Sequence, residues 1–133
     1  MLRQTAVGMS SSSNDSRVEL AERPLLDQTQ ADELVRLYKI LSSETRLKML
    51  HALVRASELC VTDLATELEM TQQAVSNQLQ RLVGGRIVAV RRAGGRSFYR
   101  IADSCVTGML DLGMCLLEET GKLPVRSADD ATG

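Results

Sequence analysis

The sequence predicts a mainly α-helical domain that carries one small β-hairpin. Three observations support this prediction: apolar residues recur at helical spacing along most of the chain, two short β-type runs flank Ala93-Gly94-Gly95, and a further helical pattern follows them. A polar helix directly before a basic hairpin is typical of a winged helix-turn-helix, in which the hairpin is the wing. We therefore expect a winged helix-turn-helix that assembles as a homodimer.

Length and composition limit the number of domains. The 133 residues suffice for one core. We predict a flexible N-terminal arm over residues 1–25, one folded domain over residues 26–120, and a flexible tail over residues 121–133. The first range is rich in serine and shows no periodicity, whereas Gly121 and Pro124 stop the last helical pattern.

The first half of the domain is predicted to contain three helices. The first begins near residues 28–30, Ser43 can cap the second over Glu44–Val54, and the third spans Val61–Leu68. The residues expected to face inward are Leu34, Leu37, Tyr38, Leu41, Leu47, Leu50, Leu53, Val61, Leu64, Ala65 and Leu68.

A fourth helix and the hairpin follow. Thr71 is a suitable N-cap because its hydroxyl can accept a hydrogen bond from the first turn, and Gly84-Gly85 ends the helix. The hairpin strands are predicted at Ile87–Arg92 and Arg96–Ile101. The inward residues of the fourth helix are Ala74, Val75, Leu79 and Leu82.

The fifth helix is predicted to begin at a cap formed by Asp103 or Ser104 and to end near Glu119. Its apolar residues are accompanied by Gly108 and Gly113, which weaken an isolated helix. Glycines in so apolar a helix favour close approach of a second helix at a dimer interface, and the alternative is a permissive surface.

Charge is unevenly distributed along the chain. Residues 71–100 contain six arginines and no Asp, Glu or Lys, whereas the rest of the chain has ten basic and 17 acidic residues. This separation of charge predicts that residues 71–100 bind an anionic polymer. The six arginines are Arg81, Arg86, Arg91, Arg92, Arg96 and Arg100.

The polar face of the fourth helix suits double-stranded DNA. Amide and hydroxyl side chains can pair with base edges in the major groove, and arginines of the helix end and wing can neutralise phosphates. One short helix contacts few base pairs, so two copies on an inverted repeat are expected. The alternative is a solvated polar helix beside a solvated hairpin. The candidate DNA-binding residues are Thr71, Gln72, Gln73, Ser76, Asn77, Gln80, Arg81, Arg91, Arg92 and Arg96.

Three stretches of the chain can be compared with known families: LSSETRLKMLHAL, ELCVTDLATELEMTQQAVSNQLQRL and GRSFYRIAD. In combination, over about residues 34–119, they resemble the ArsR/SmtB family of bacterial metalloregulatory repressors. The resemblance implies a cytoplasmic homodimeric repressor that an effector releases from its operator. Glu69 stands where the family's turn often has Gly, and Gln78 where its recognition helix often has His, which leaves the operator sequence open.

Cys60, Cys105 and Cys115 are odd in number and widely spaced, which favours reduced thiols over a disulfide framework. In relatives that sense large thiophilic metals, a second cysteine stands at the position of Thr62, and the N-terminal arm donates further thiolates. Here the arm contains no cysteine. Cys60 is therefore either a metal ligand or a buried packing residue.

The closing helix of zinc-sensing relatives holds an Asp-x-His pair near its start and a His-x-x-Glu pair near its end. Asp103 and Glu119 match these pairs, Cys105 and Leu116 replace the histidines, and Cys115 lies beside the latter. Across an antiparallel helix pair, Cys105 of one chain would approach Cys115 of the other. Thiolates suit As(III), Cd(II), Hg(II) or Cu(I), and Zn(II) is a further candidate. The alternatives are an intermolecular disulfide or persulfide, or packing without a sensing role.

Other functional classes are disfavoured by the sequence. It contains no Walker-type phosphate loop and no nucleophile–base pair, and its single histidine, His51, is expected to be half-buried, so we predict no enzymatic activity. No cofactor is expected to be required for DNA binding.

No apolar run approaches membrane-spanning length, and no secretory signal is evident. An interaction protein that has lost DNA binding is a further alternative, against which the wing arginines argue.

Overall fold

The computed structural model describes residues 18–124. The chain divides into two units, residues 1–33 and residues 34–133. In the first unit, residues Leu20–Glu22 form one 3-10 turn, which the sequence pattern did not predict, and Arg23 Nε donates to the carbonyl of Val18 at 2.9 Å. Most of the predicted arm and tail lies outside the described residues, so the predicted domain bounds stay predictions.

The described residues form five α-helices and one antiparallel hairpin, which confirms the predicted fold class. None of these helices is long and apolar enough to cross a membrane. In chain order the elements are α1 (Gln28–Leu41), α2 (Glu44–Ala56), α3 (Val61–Leu68), α4 (Gln72–Gly84), β1 (Val88–Ala93), β2 (Arg96–Ile101) and α5 (Ser104–Glu119).

Side-chain caps begin four of the helices, because the first backbone N–H groups of a helix have no partner within it. Asp27 Oδ1 accepts from the backbone N–H of the third residue of α1, at 2.8 Å. Ser43 accepts from the backbone N–H of the third residue of α2, at 3.3 Å. Thr71 does the same for α4 at 3.1 Å. Of the two predicted caps for α5, Asp103 is the one used, and its Oδ1 accepts from the N–H of Cys105 at 2.7 Å.

The core forms where α2, α3, α4 and the first hairpin strand meet. Two expectations about it were wrong. Leu47 is exposed and Met49 is buried, because the face of α2 that packs against α3 and β2 is centred on Met49 and Leu53. Leu34 and Tyr38 of α1 are also exposed. The fully buried large side chains are Met49, Leu50, Leu53, Leu64, Val75, Leu79, Leu82 and Val88.

Arg46 connects three helices. Its Nε donates to the carbonyl of Ile40 at the end of α1, at 2.6 Å, and its Nη1 donates to Oε1 of Gln78 on α4, at 2.8 Å. The first bond satisfies a carbonyl that has no partner within its own helix. The second orients α4 against α2, so Gln78 serves the fold and not the exposed face of α4.

Positive φ angles occur at several turns of the described residues, among them the end of α3 and the turn of the hairpin. Glu69, which ends α3, has φ of 56°, the conformation that favours glycine. Gly94 and Gly95 have φ of 59° and 79° and join the two hairpin strands. Two successive positive φ angles define the tight turn whose twist matches that of paired strands.

Candidate nucleic-acid interface and cysteine positions

The fourth helix presents a polar face to solvent. Gln72, Gln73, Asn77 and Gln80 are exposed and Ser76 is half-buried. Val75, Leu79 and Leu82 of the same helix are buried on the opposite side, so the apolar stripe fixes which side faces outward.

Two of the predicted base-reading residues contact each other. Gln73 Nε2 donates to Asn77 Oδ1 at 3.0 Å, as residues four apart on a helix can. This bond does not use the side-chain carbonyl of Gln73 or the side-chain amino group of Asn77, and both can bind other partners. Thr71, in contrast, uses its hydroxyl oxygen to cap α4 and keeps its O–H as a donor.

The wing is joined to the segment before α3 by an isolated β-bridge that the sequence did not predict. Leu59 pairs with Tyr99 through two backbone hydrogen bonds, N–H to carbonyl at 3.0 Å and carbonyl to N–H at 2.8 Å. The segment before α3 therefore lies along β2, on the side opposite β1. In the hairpin itself, Arg91 is paired with Phe98 and Arg92 with Ser97.

Phe98 is a platform for two wing arginines. The guanidinium carbon of Arg91 lies 4.9 Å from the centre of the phenyl ring, and that of Arg96 lies 5.8 Å from it. Both distances are within the range of a cation–π attraction. This attraction restrains the two arginine side chains while both residues stay exposed to water. The only phenylalanine of the chain thus orients half of the four predicted phosphate-binding arginines.

Arg91 also forms a bidentate ion pair with Glu58. Its Nε and Nη2 donate to the two carboxylate oxygens at 3.0 and 2.8 Å. The hydrogen bond from Arg91 is the main cause that lowers the pKa of Glu58 below its ordinary value, and the pKa of Arg91 is raised by the same bond. The stabilisation by this pair is present above the ordinary carboxyl pKa and is lost as the pH falls through the lowered one.

The other predicted phosphate ligands differ in their surroundings. Arg81 and Arg92 are exposed, and within residues 18–124 neither forms an ion pair; Arg92 makes one long bond of 3.4 Å to Ser97 Oγ. Arg96 Nη2 donates to the sulfur of Cys60 at 3.2 Å. The acid-free composition of residues 71–100 therefore did not reveal that two of these arginines contact residues of an earlier segment.

Cys60 is buried, with 5% of its surface exposed. It stands at the start of α3, and its sulfur lies 3.2 Å from both Asp63 Oδ2 and Arg96 Nη2. The surroundings of this sulfur are therefore partly polar. The interpretation of Cys60 as a buried packing residue did not predict these two polar neighbours.

The fifth helix carries the other two thiols at different depths. Cys105 is half-buried in the first turn and Cys115 is exposed, and neither is in a disulfide. Ten residues of helix separate them by about 15 Å, so one protomer does not bring them together. Asp103 caps the helix and Glu119 is its last residue. Within the described part of one chain, no three His, Cys, Asp or Glu side chains are grouped as metal ligands.

His51 is exposed, so the expectation that it is half-buried was wrong. The side of α2 on which it lies is turned towards solvent, together with Lys48 and Arg55. Its neighbours Leu50 and Ala52 are buried on the other side.

A helix-turn-helix followed directly by an arginine-bearing β-hairpin defines a winged helix-turn-helix regulator. Residues 43–90 match the family described as bacterial regulatory protein, arsR family. The chain is 31% identical to the transcriptional repressor SmtB homolog of Synechocystis sp., over 81% of this chain and 91% of that protein. The chain belongs to the arsR family of bacterial transcriptional regulators and is not an enzyme, as predicted.

Solved structures support the same assignment. The AntR antimony-specific transcriptional repressor is 46% identical, with a TM-score of 0.68 over 87% of this chain and all of that chain. A homodimeric winged helix-turn-helix DNA-binding domain from Mycobacterium bovis, a possible ArsR-family regulator, is 28% identical, with a TM-score of 0.67 over 81% of this chain and all of that chain. Further relatives are named for resistance to cadmium and to arsenicals.

Proposed function

We propose that the chain is a homodimeric cytoplasmic repressor that binds an inverted repeat in double-stranded operator DNA and is released by a soft metal or metalloid ion. The observation that carries this proposal is the exposed amide face of α4 beside a wing whose arginines are also exposed. Such amides can pair with base edges, and arginines neutralise phosphates without regard to sequence. The combination supports sequence-specific binding more strongly than either feature alone.

The proposed dimer interface consists of apolar side chains on α1 and α5. Leu112 and Leu116 are 70% and 62% exposed, values that are unusual for leucines in adjacent turns of one helix. Exposed apolar patches of this kind mark interaction sites. The homodimeric state of the Mycobacterium bovis domain supports a second copy of this chain as the occupant. The exposed residues are Leu34, Val35, Tyr38, Leu112, Met114, Leu116 and Leu117.

Gly113→Leu should disrupt this dimer. A Cβ atom added at Gly113 would have open space around it in its own protomer, so the monomer should tolerate a side chain there, whereas a closely packed partner helix should not. Sedimentation at micromolar concentration should show a dimer for the wild type and a monomer for the variant. Gly84→Leu, at a helical glycine that is equally open, is the matched control and should stay dimeric. A monomeric wild type would contradict the proposal.

The inducing ion is proposed to bind between protomers. Cys105 of one α5 and Cys115 of the antiparallel α5 of its partner would supply two thiolates, and Asp103 and Glu119 could add oxygen ligands. The separation of about 15 Å within one helix supports a shared site, because it prevents one protomer from using both thiols. Cys60 is a weaker candidate, since its sulfur already has two polar neighbours.

Thiolates bind soft ions preferentially, and the names of the relatives refer to such ions. AntR is described as antimony-specific, and other relatives are named for cadmium and arsenicals. We therefore propose a trivalent metalloid such as As(III), or Cd(II), as the inducer, with Hg(II), Cu(I) and Zn(II) as further ions to test.

A gel shift with the DNA upstream of the protein's own gene tests this function. The reduced protein should retard this DNA, the complex should weaken steeply as salt is raised, and a soft ion should release it. Arsenite, antimonite and cadmium should be compared with magnesium, which prefers oxygen ligands and should have no effect. Absence of a complex at low salt, or a complex that no soft ion releases, would contradict the proposal.

A further inference from the structure

Glu58 lies outside the acid-free segment but contacts it directly. Both of its carboxylate oxygens accept from the guanidinium of Arg91, at 3.0 and 2.8 Å. The pair is open to solvent, since the side chains of Arg91 and Glu58 are 50% and 30% exposed. It is the one bidentate arginine–carboxylate pair recorded between the wing and the rest of residues 18–124.

The backbone explains why these two residues meet. Leu59 pairs with Tyr99, so its neighbour Glu58 points to the opposite side of the sheet, as does Phe98, the neighbour of Tyr99. Arg91 is paired with Phe98 and therefore projects from that same side. Its guanidinium crosses the phenyl ring, 4.9 Å from the centre, and reaches the carboxylate beyond it.

The two parallel hydrogen bonds between Arg91 and Glu58 have the same geometry as those between an arginine and a phosphate. The planar fork of an arginine binds carboxylate and phosphate in the same bidentate manner. An arginine that is already bound to a carboxylate through Nε and Nη2 must give up that partner before the same two N–H groups can bind a phosphate. Arg81 and Arg92, which have no ion pair within residues 18–124, face no such requirement.

We propose that Glu58 is a determinant of DNA affinity, because its carboxylate occupies Arg91 in the DNA-free protein in place of a backbone phosphate. The proposal rests on the DNA-binding function proposed above. An exposed ion pair is weak enough to be displaced, and a phosphate in a polyanion has the further advantage of counterion release. Glu58 therefore does not block binding but lowers the affinity for every DNA sequence by the same factor.

Glu58→Gln tests this exchange, since glutamine keeps the size of the side chain and one acceptor oxygen but removes the charge. Affinity should rise about two- to fivefold, the range expected for loss of an exposed ion pair, both on the upstream DNA and on random DNA. The ratio of the two affinities should not change. Glu67→Gln is the matched control, because it removes the same charge from an exposed glutamate of α3 that forms no ion pair within residues 18–124.

A second measurement separates exchange from a general effect of charge or of misfolding. In an Arg91→Gln background, Glu58→Gln should raise affinity no more than Glu67→Gln does, since the competing pair is already absent. Thermal unfolding of Glu58→Gln should resemble that of the wild type. An affinity for Glu58→Gln that is lower than that of the wild type, or no higher than that of Glu67→Gln, would overturn the inference.

The outcomes also separate this inference from the function on which it rests. A wild type that forms no DNA complex would overturn both. A wild type that binds the upstream DNA, together with a Glu58→Gln variant that fails to bind more tightly, would overturn the role of Glu58 alone.

Discussion

Replacing Gln73 or Asn77 by alanine should weaken operator binding by about 1–3 kcal/mol and leave binding to random DNA almost unchanged. Both side chains are exposed on α4 and carry amides that can pair bidentately with adenine. Loss of a base contact removes discrimination, whereas the phosphate contacts that hold random DNA remain. Anisotropy titrations of both DNAs at matched salt would measure the two effects.

The hydrogen bond between the two amides adds a quantitative expectation. Because Gln73 Nε2 donates to Asn77 Oδ1, each side chain orients the other in the DNA-free protein. Removing either one should therefore impair both base contacts, and the double variant should lose less than the sum of the single losses. Strictly additive losses would show that the two residues act independently on DNA.

Arg92→Gln is the contrasting variant. Its guanidinium is exposed and free of ion pairs within residues 18–124, so it should bind phosphate. The variant should weaken binding to operator and random DNA alike and lower the magnitude of the salt slope by about one. If Gln73→Ala, Asn77→Ala and Arg92→Gln all had the same effect on both DNAs, the division between base and phosphate contacts would be wrong.

Local signals explain why the helices could be predicted. The third helix was predicted with its observed bounds, and Ser43, Thr71 and Asp103 cap helices as their positions indicated. Helical spacing and capping depend on residues a few positions apart, which a single sequence displays directly. Which apolar residues of a helix are buried could be predicted less completely. Leu47 and Met49 are both apolar, and only the packing of α2 against two neighbours decides which one is inside.

Contacts between distant residues could not be predicted in the same way. Glu58 lies 33 residues before Arg91, and Arg46 lies 32 residues before Gln78. Composition showed that residues 71–100 contain no acid, but it did not show which outside acid the fold would bring against the wing. The bridge between Leu59 and Tyr99 creates that contact, and nothing in the short segment around Leu59 indicated β-pairing.

The cysteines of α5 should be required for induction and not for operator binding. Cys105→Ser and Cys115→Ser should each keep wild-type affinity for the operator, because neither residue lies on α4 or on the wing. Each should lose release by a soft ion, since serine keeps the size of the side chain but not the thiolate. The comparison requires operator titrations of each variant with and without arsenite, antimonite or cadmium.

The expected size of the effect follows from linkage. An ion that binds the dimer changes DNA affinity only by the difference in its own affinity for the DNA-bound and DNA-free arrangements. Coupling of this kind is typically about 1–3 kcal/mol, or about 5- to 150-fold in affinity. If α5 lies at the dimer interface, an ion held between two α5 helices would alter the spacing of the two α4 helices, and that spacing decides whether both fit successive major grooves.

Cys60→Ser provides the internal comparison. Its sulfur contacts Asp63 and the wing residue Arg96, and a serine oxygen can keep both contacts, so operator binding and induction should change little. If Cys60→Ser alone abolished release, the inducing site would lie beside the helix-turn-helix and not on α5. If release by an oxidant and not by an ion depended on Cys105 and Cys115, these thiols would form a redox switch. A variant with all three cysteines replaced that still responded would show that the thiols are packing residues and that the inducer binds elsewhere.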